Sequence, residues 1–248
     1  MSTTPDDCTT PAEGTAPAEG TAPAEGTAPA EGTTPAEGMT AADWAARYQS
    51  DDTPWDLGGP HPELARLLEA GDLAPAAGRD RALVPGCGNG HDARALAAAG
   101  WRVTALDCVE GVDAALASDL AASGGELRIT DALAFDGEGA FDLVWDHTFF
   151  CAIDPTARER WGEMVGRSLA QDGTVVALVF PGDKPVEEGG PPHAFDAVAM
   201  GQALGATFEL LHSAPVERGV ARRRWSESVA RYRRAAAVAS AAPQAGRS

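Results

Sequence analysis

Past residue 40 the chain switches repeatedly between two hydrophobic rhythms. Compact apolar runs predict strands at Ala82–Val84, Arg102–Leu106, Glu126–Thr130, Phe141–Trp145 and Thr174–Phe180. Between them apolar residues recur at helical spacing and predict helices at Asp92–Ala99, Val112–Ala122 and Thr156–Leu169. Strands that alternate with helices of this length build a parallel sheet covered on both faces, an α/β, Rossmann-like fold. A further helix at Phe195–Leu204 and strands at Thr207–Ser213 and near Glu227–Tyr232 complete the pattern, the last two placed to pair antiparallel. Ahead of the alternation, "AADWAARYQSDDTPWDLGGPHPELARLLEA" reads as a short helix, a loop with Pro54, Gly58, Gly59 and Pro60, and a second helix to about Ala70.

The N-terminus follows neither rhythm. From Pro11 to Gly38 the tetrapeptide PAEG occurs five times at a period of six residues, with no aromatic or branched aliphatic side chain. Such a segment buries too little apolar surface to repay its ordering entropy, so residues 1–39 are expected to be a disordered acidic tail. The Ala-rich stretch 235–248, with Pro243 and Gly246, is expected to fray as a flexible C-terminal tail. That leaves 40–234 as one large folded domain, in a chain of 248 residues that is 44% hydrophobic.

Charge narrows the partners. The formal net charge is −18, of which the tail carries seven acids and no bases, so the folded part is acidic in its own right. It repels phosphate backbones and anionic membranes, which argues against nucleic acid or membrane partners. The Arg222, Arg223, Arg224, Arg231, Arg233 and Arg234 cluster is expected to be a solvated rim beside this acidic body. No apolar run approaches the ~20 residues that span a bilayer, and the N-terminus lacks the basic and apolar regions of a secretory signal. A cytoplasmic location is expected. Cys8, Cys87, Cys108 and Cys151 show no metal-ligand spacing, and neither metal nor disulfide is predicted. The sequence does not specify an oligomeric state, and a monomer satisfies it.

The candidate chemistry sits where predicted strands end, the place where open α/β sheets bind ligands. In "RALVPGCGNGHDARALAAAGWRVTALD", Gly86, Gly88 and Gly90 let the backbone turn out of the first strand and approach a ligand closely. Their GxGxG spacing is not the dinucleotide GxGxxG, and the Asp92 carboxylate at the helix start would oppose a pyrophosphate. A ligand without phosphates fits better, and S-adenosylmethionine is one, its sulfonium and ammonium suiting an acidic pocket. Asp107 ends the second strand, seventeen residues past Gly90, where its two oxygens can accept from vicinal ribose hydroxyls. Asp131, with Ala132 beside it, is placed after the third strand to meet the adenine. Taken singly, either aspartate reads first as a turn or helix cap, and it is the three aligned strand-end features together that favour a cofactor site.

The motifs "TPWDLGGPHP", "ALVPGCGNGHD", "FDLVWDHTFFCAI", "VFP" and "GGPPH", in this order from about Trp44 to Arg234, resemble the thiopurine and thiol/halide methyltransferase family within the class I methyltransferases. The resemblance implies a seven-stranded sheet with a reversed last hairpin. It also implies an N-terminal lid that sets Trp44, Tyr48 and Trp55 over the cofactor, Tyr48 standing where tryptophan is often found. Aromatic faces attract a sulfonium by cation–π interaction; the other reading of the three rings is that they pack the first helix on the domain.

The same resemblance makes position 147 substrate-facing. His147 replaces the tyrosine of thiol/halide relatives and the arginine of thiopurine relatives, and an imidazole there can accept a thiol proton or, protonated, hold an anion. Its other reading is a hydrogen bond to a neighbour. Asp146 can orient His147 or receive the cofactor ammonium. Phe149, Phe150 and Cys151 read as core. The loop "PGDKPVEEGGPPHAF" carries the only lysine, Lys184, with His193 in place of a family tyrosine; Phe180 likewise departs.

The expected function is therefore transfer of a methyl group from S-adenosylmethionine to a thiol, thiocyanate or halide. Alternatives are a thiopurine or selenium acceptor, and a catalytically silent S-adenosylmethionine-binding module. A nicotinamide oxidoreductase would require the GxGxxG that is missing.

Overall fold

A computed structural model describes residues 38–110 and 113–235; the repeat-bearing tail and the stretch after residue 235 lie outside the described residues. Two short helices lead in, α1 (Ala41–Gln49) and α2 (Pro62–Glu69). The alternation follows as β1 (Arg81–Pro85), α3 (His91–Ala98), β2 (Arg102–Asp107), α4 (Leu116–Ala122), β3 (Glu126–Ile129), β4 (Phe141–His147), α5 (Arg158–Ser168) and β5 (Leu169–Val179). The chain ends in α6 (Ala197–Leu204), β6 (Phe208–Pro215) and β7 (Ser228–Arg234). One sheet of order β3-β2-β1-β4-β5-β7-β6 results. Strands β1 to β5 are parallel, whereas β7 runs antiparallel between β5 and β6. The chain builds outward from β1 to β3 and then returns to β1's other side with β4, and this reversal opens a crevice at the strand ends.

Alternate residues of the central strands feed two cores. Ala82, Val84, Val103 and Trp145 face α2, α3 and α4 through Leu64, Leu96 and Leu120. Leu83, Leu106, Val144 and Val175 face α5 and α6 through Trp161, Met164, Val165 and Met200. Burial on both faces explains why the strands read as continuous apolar runs. Several boundaries differ from expectation, α4 beginning at Leu116 rather than Val112 among them, and two have a clear physical cause. The predicted helix from Thr156 begins instead as a separate 3-10 turn, Pro155–Ala157, because the Asp154 side chain accepts from the Thr156 N–H at 2.8 Å and caps it there. The fifth strand starts at Leu169 rather than Thr174, pairing Leu169 with Phe141 before a register shift to Leu143 and Thr174. Polar Gln171 and Asp172 concealed that extension. None of the described helices is long and apolar enough to cross a membrane.

Helices α5 and α6 touch backbone to side-chain position at Gly162, where an added Cβ would lie 1.7 Å from the Ala203 carbonyl oxygen. One turn on, a Cβ at Gly166 meets nothing within 4 Å. Gly162→Ala is expected to destabilise by about 1–3 kcal/mol through overpacking, whereas Gly166→Ala stabilises by about 0.4–1 kcal/mol through helix propensity. Urea denaturation of the two variants checks this, and equal effects would show that α6 does not press on Gly162.

Candidate active site

The loop after β1 is shaped by left-handed backbone at Gly86 (φ +60), Gly88 (φ +53) and Gly90 (φ +73). Each glycine is also crowded. A Cβ at Gly86 would meet the Phe149 ring at 2.4 Å, at Gly88 the Tyr48 hydroxyl at 3.0 Å, and at Gly90 the Leu116 side chain at 2.4 Å. Asp107, at the end of β2 and 8% exposed, ties this loop to its own strand. Its carboxylate accepts from the Gly88 N–H at 2.8 Å and the Val109 N–H at 2.9 Å, one on each oxygen. Burial raises its carboxyl above the ordinary value, and these backbone donors offset only part of that. Each oxygen keeps a second lone pair, so the residue fits a pair of ribose hydroxyls. Asp131 is exposed: it caps the next turn through the Leu133 N–H at 2.9 Å and lies 3.4 Å from Arg160, while Ala132 is buried beside it.

The N-terminal segment reaches over this loop. A capping box between Thr40 and Asp43 starts α1, yet α1 buries none of its residues. Its Trp44 and Tyr48 instead meet Trp55 edge-to-face, with centroids 5.3 and 5.6 Å apart. A cation already uses these rings, since the Arg47 guanidinium lies 4.5 Å from the Trp55 centroid. Burial, with the nearby Asp107 charge, pushes the Tyr48 phenol upward. Polar contacts fix the segment. Asp56 accepts from the Gly58 N–H at 2.7 Å, from the Asn89 amide in the glycine loop, and sits 3.2 Å from His91 Nε2. Arg222, from the β6–β7 loop, donates to the carbonyls of Pro54 and Asp56.

His147, at the end of β4, belongs to a buried ring of polar side chains. Its Nδ1 lies 2.8 Å from Asp92, whose carboxylate also accepts from the His61 N–H and from Trp145 Nε1, both at 2.8 Å. Burial opposes ionisation of Asp92, but His147 and these donors hold its carboxyl below the ordinary value. With Nδ1–H donated to Asp92, the lone pair of His147 Nε2 accepts from Arg223 at 3.0 Å. Arg223 pairs with Glu227 and stacks 4.2 Å over the Phe180 ring. Glu227 in turn accepts from His61 Nε2 at 3.2 Å and from the Val220 N–H at 3.0 Å. Burial raises the Glu227 carboxyl, yet the His61 and Val220 hydrogen bonds and the Arg223 charge prevail and bring it to about 2. The His61 and His147 rings meet edge-to-face at 4.8 Å, closing the circuit.

Three expectations change here. The carboxylate that orients His147 is Asp92, not Asp146. Asp146 is fully buried and accepts from Trp161 Nε1 at 2.9 Å and from the Phe149 and Phe150 N–H groups at 3.2 Å, so it shapes the turn after β4. Burial pushes its carboxyl up to about 6. Asp92 does not present its charge to a ligand at the helix start, because its oxygens point at His61, Trp145 and His147. Arg223 is not a solvated rim residue, with a side chain 7% exposed. His61 and Asp92 were within the quoted motifs "GGPHP" and "GHD", but Arg223 and Glu227 carried no local signal.

On the far side of β4, Cys151 donates its thiol to the Thr148 carbonyl at 3.2 Å and is 2% exposed, with burial pushing it up to about 12. The His193 N–H donates to the Cys151 carbonyl at 2.7 Å, and Lys184 Nζ donates to the Pro192 carbonyl at 2.8 Å. The loop after β5 is thus folded down against the turn after β4.

Comparison with known proteins places the chain in a family. Residues 39–239 match the family described as Thiopurine S-methyltransferase (TPMT). "Probable thiol methyltransferase 2" from Arabidopsis thaliana is 32% identical over 196 residues, covering 77% of this chain and 84% of the relative. "Thiocyanate methyltransferase 1" from the same plant is 32% identical over 190 residues, covering 71% and 80%. Among solved structures, the Burkholderia thailandensis 1,6-didemethyltoxoflavin-N1-methyltransferase, with bound 1,6-didemethyltoxoflavin and S-adenosylhomocysteine, shares the fold with a TM-score of 0.64 at 23% identity, over 79% of this chain and 87% of that one. The N-methyltransferase NodS from Bradyrhizobium japonicum WM9, in complex with S-adenosylhomocysteine, superposes with a TM-score of 0.62 at 19% identity, over 80% and 100%. The chain belongs to the thiopurine S-methyltransferase family and is an S-adenosylmethionine-dependent methyltransferase.

Proposed function

We propose that the methyl acceptor is a small nucleophile that brings its own electron pair: a thiolate, thiocyanate or a halide. The observation that carries this reading is the engagement of both His147 ring nitrogens, Nδ1 with Asp92 and Nε2 with Arg223. No imidazole lone pair is left to take a proton, and the Cys151 thiol is buried. The names of the thiol and thiocyanate methyltransferase relatives point the same way. A cytoplasmic setting, where thiols stay reduced, suits such acceptors.

S-adenosylmethionine supplies an electrophilic sulfonium methyl and a neutral thioether leaving group. The protein's part is to bind, align and keep water away. Asp107 takes the ribose hydroxyls, Gly86 and Gly88 let the backbone come close, and Asp131 and Ala132 border the adenine. Trp44, Tyr48 and Trp55 face the cationic centre, a role supported by the Arg47 cation already resting on Trp55. Positive charge disappears as the methyl moves to an anion, so rate comes from orientation and from replacing solvent rather than from a strong acid or base. His147 then serves as a positioning residue that holds Arg223 against Phe180.

Asp107→Ala is expected to weaken S-adenosylmethionine binding at least about tenfold, because hydrogen bonds to a charged acceptor contribute about 1.5–3 kcal/mol. Unchanged calorimetric affinity in a folded variant would sink the ribose assignment.

For His147→Phe the expected losses of kcat/KM are similar for 2-mercaptoethanol and for thiocyanate, which has no proton to lose. A base would produce a different pattern: a loss about 10²–10⁴ larger for the thiol, recovering as pH rises. That selective loss would refute the positioning role and restore His147 as a base.

A further inference from the structure

Two cations on the acceptor side lack a carboxylate within salt-bridge distance among the described residues. Lys184 is only 8% exposed, donates to one carbonyl, that of Pro192 at 2.8 Å, and lies 5.0 Å over the Trp225 ring. An ammonium has three donors, so its capacity is not filled by this contact. Burial lowers its pKa, the direction expected for a charge short of partners. Arg158 is the first residue of α5, where the positive end of the helix dipole disfavours a cation. Its Nη2 donates to the Ala194 carbonyl at 3.2 Å, its Nε is buried without any partner, and its guanidinium lies 4.8 Å over the Phe150 ring. The His193 backbone runs between the two cations, since Arg158 also lies 3.5 Å from its carbonyl. In a chain of net charge −18, a buried lysine and a half-buried arginine with unfilled donors, both held to the 192–194 backbone, require a reason.

Their place in the sheet supplies one. Lys184 follows β5 and Arg158 follows β4, whereas the glycine loop follows β1, and the strand order is β1-β4-β5. The Phe150 ring under Arg158 adjoins Phe149, which a Cβ at Gly86 would meet, and the Trp225 ring under Lys184 packs against Phe180, over which Arg223 stacks, so the pair borders the neighbours of the glycine loop and of Arg223. An anion held there fits a second group on the acceptor, a few bonds from the sulfur.

Building on the thiol reading above, we propose that Lys184 and Arg158 form an anion cradle that selects methyl acceptors carrying a carboxylate a few bonds from the reacting thiol. The carboxylate accepts from the free N–H groups of Lys184 and the Nε–H of Arg158, and the aromatic faces of Trp225 and Phe150 back the two cations.

The test compares 3-mercaptopropionate with its neutral methyl ester on the full chain. Two readouts are taken: kcat/KM with S-adenosylmethionine, and calorimetric affinity for the protein saturated with S-adenosylhomocysteine. The wild type is expected to prefer the acid by about tenfold or more in both, as charged hydrogen bonds are strong. Lys184→Gln keeps an N–H donor for Pro192 while removing the charge, and Arg158→Gln does the same for Ala194. Each is expected to cut the preference about tenfold, and Lys184→Arg to retain it. Should Lys184→Gln melt early, Lys184→Met, which preserves the stem, takes its place in the binding titration. Equal affinity of the wild type for acid and ester overturns the proposal, as does a preference that survives both glutamine variants; the two cations would then only staple the loop. If neither thiol is methylated while thiocyanate is, the thiol reading fails, and the binding preference alone still decides the cradle.

Discussion

The closed circuit of Asp92, His147, Arg223, Glu227 and His61 is the constraint on which the rest of the site depends. It joins four parts of the chain: the loop before α2, the start of α3, the end of β4 and the β6–β7 return. Buried charges are costly unless every one is paired and hydrogen-bonded, and removing one member of such a pair typically costs about 3–5 kcal/mol. Here two carboxylates, one guanidinium and two imidazoles satisfy one another, so the arrangement has little freedom to loosen in parts. The glycine loop is fixed from below by Asp107 and from the side by the helix that Asp92 begins. The N-terminal segment is fixed because His61 ends its loop and Arg222, one residue before Arg223, donates to the carbonyls of Pro54 and Asp56.

That coupling gives the acidic composition a local exception. The half proposed for the cofactor holds Asp107 and the Trp44, Tyr48 and Trp55 rings and suits a cation. The half proposed for the acceptor holds Arg223, Lys184 and Arg158 and suits an anion. A displacement between a sulfonium and an anionic nucleophile places opposite charges in those halves, and the reaction removes both. In the sheet order, β2, which ends at Asp107, and β5, which precedes Lys184, are separated by β1 and β4, so the two charges do not pair.

What was legible in the sequence was local. Gly86, Gly88 and Asp107 could be placed because a strand, its turn and the next strand lie within about 25 residues of one another, and the GxGxG spacing needs only backbone argument. The central strands were visible because both faces are buried, apart from the start of β5, where Gln171 and Asp172 interrupt the apolar run at a register shift. Arg223 was hidden for the opposite reason, while Arg222, Arg224 and Arg233 of the same cluster are exposed as expected. Arg223 looks like its neighbours in sequence, and only tertiary contact separates it from them: its partner His147 lies 76 residues away, and His61 meets Glu227 across 166. Asp146 misled because it adjoins His147, although successive residues of a strand point to opposite faces of the sheet. Asp146 therefore faces Trp161 on α5, and His147 faces Asp92 on α3.

This alternation bears on how His147 came to replace the tyrosine or arginine that the family resemblance sets at its position. A side chain there lies on the α3 face of β4 and must coexist with Asp92, a buried carboxylate that requires donors. An imidazole supplies Nδ1–H to Asp92 and offers Nε2 as an acceptor, so a donor from the β6–β7 return has to meet it, and Arg223 does. An arginine at 147 would also serve Asp92, but its guanidinium has no acceptor to offer and would face Arg223 as a like charge. The identity of residue 147 and the inward turn of Arg223 are thus two sides of one hydrogen-bond requirement. The side chain at 147 is set by satisfying a buried carboxylate on its own face of the strand.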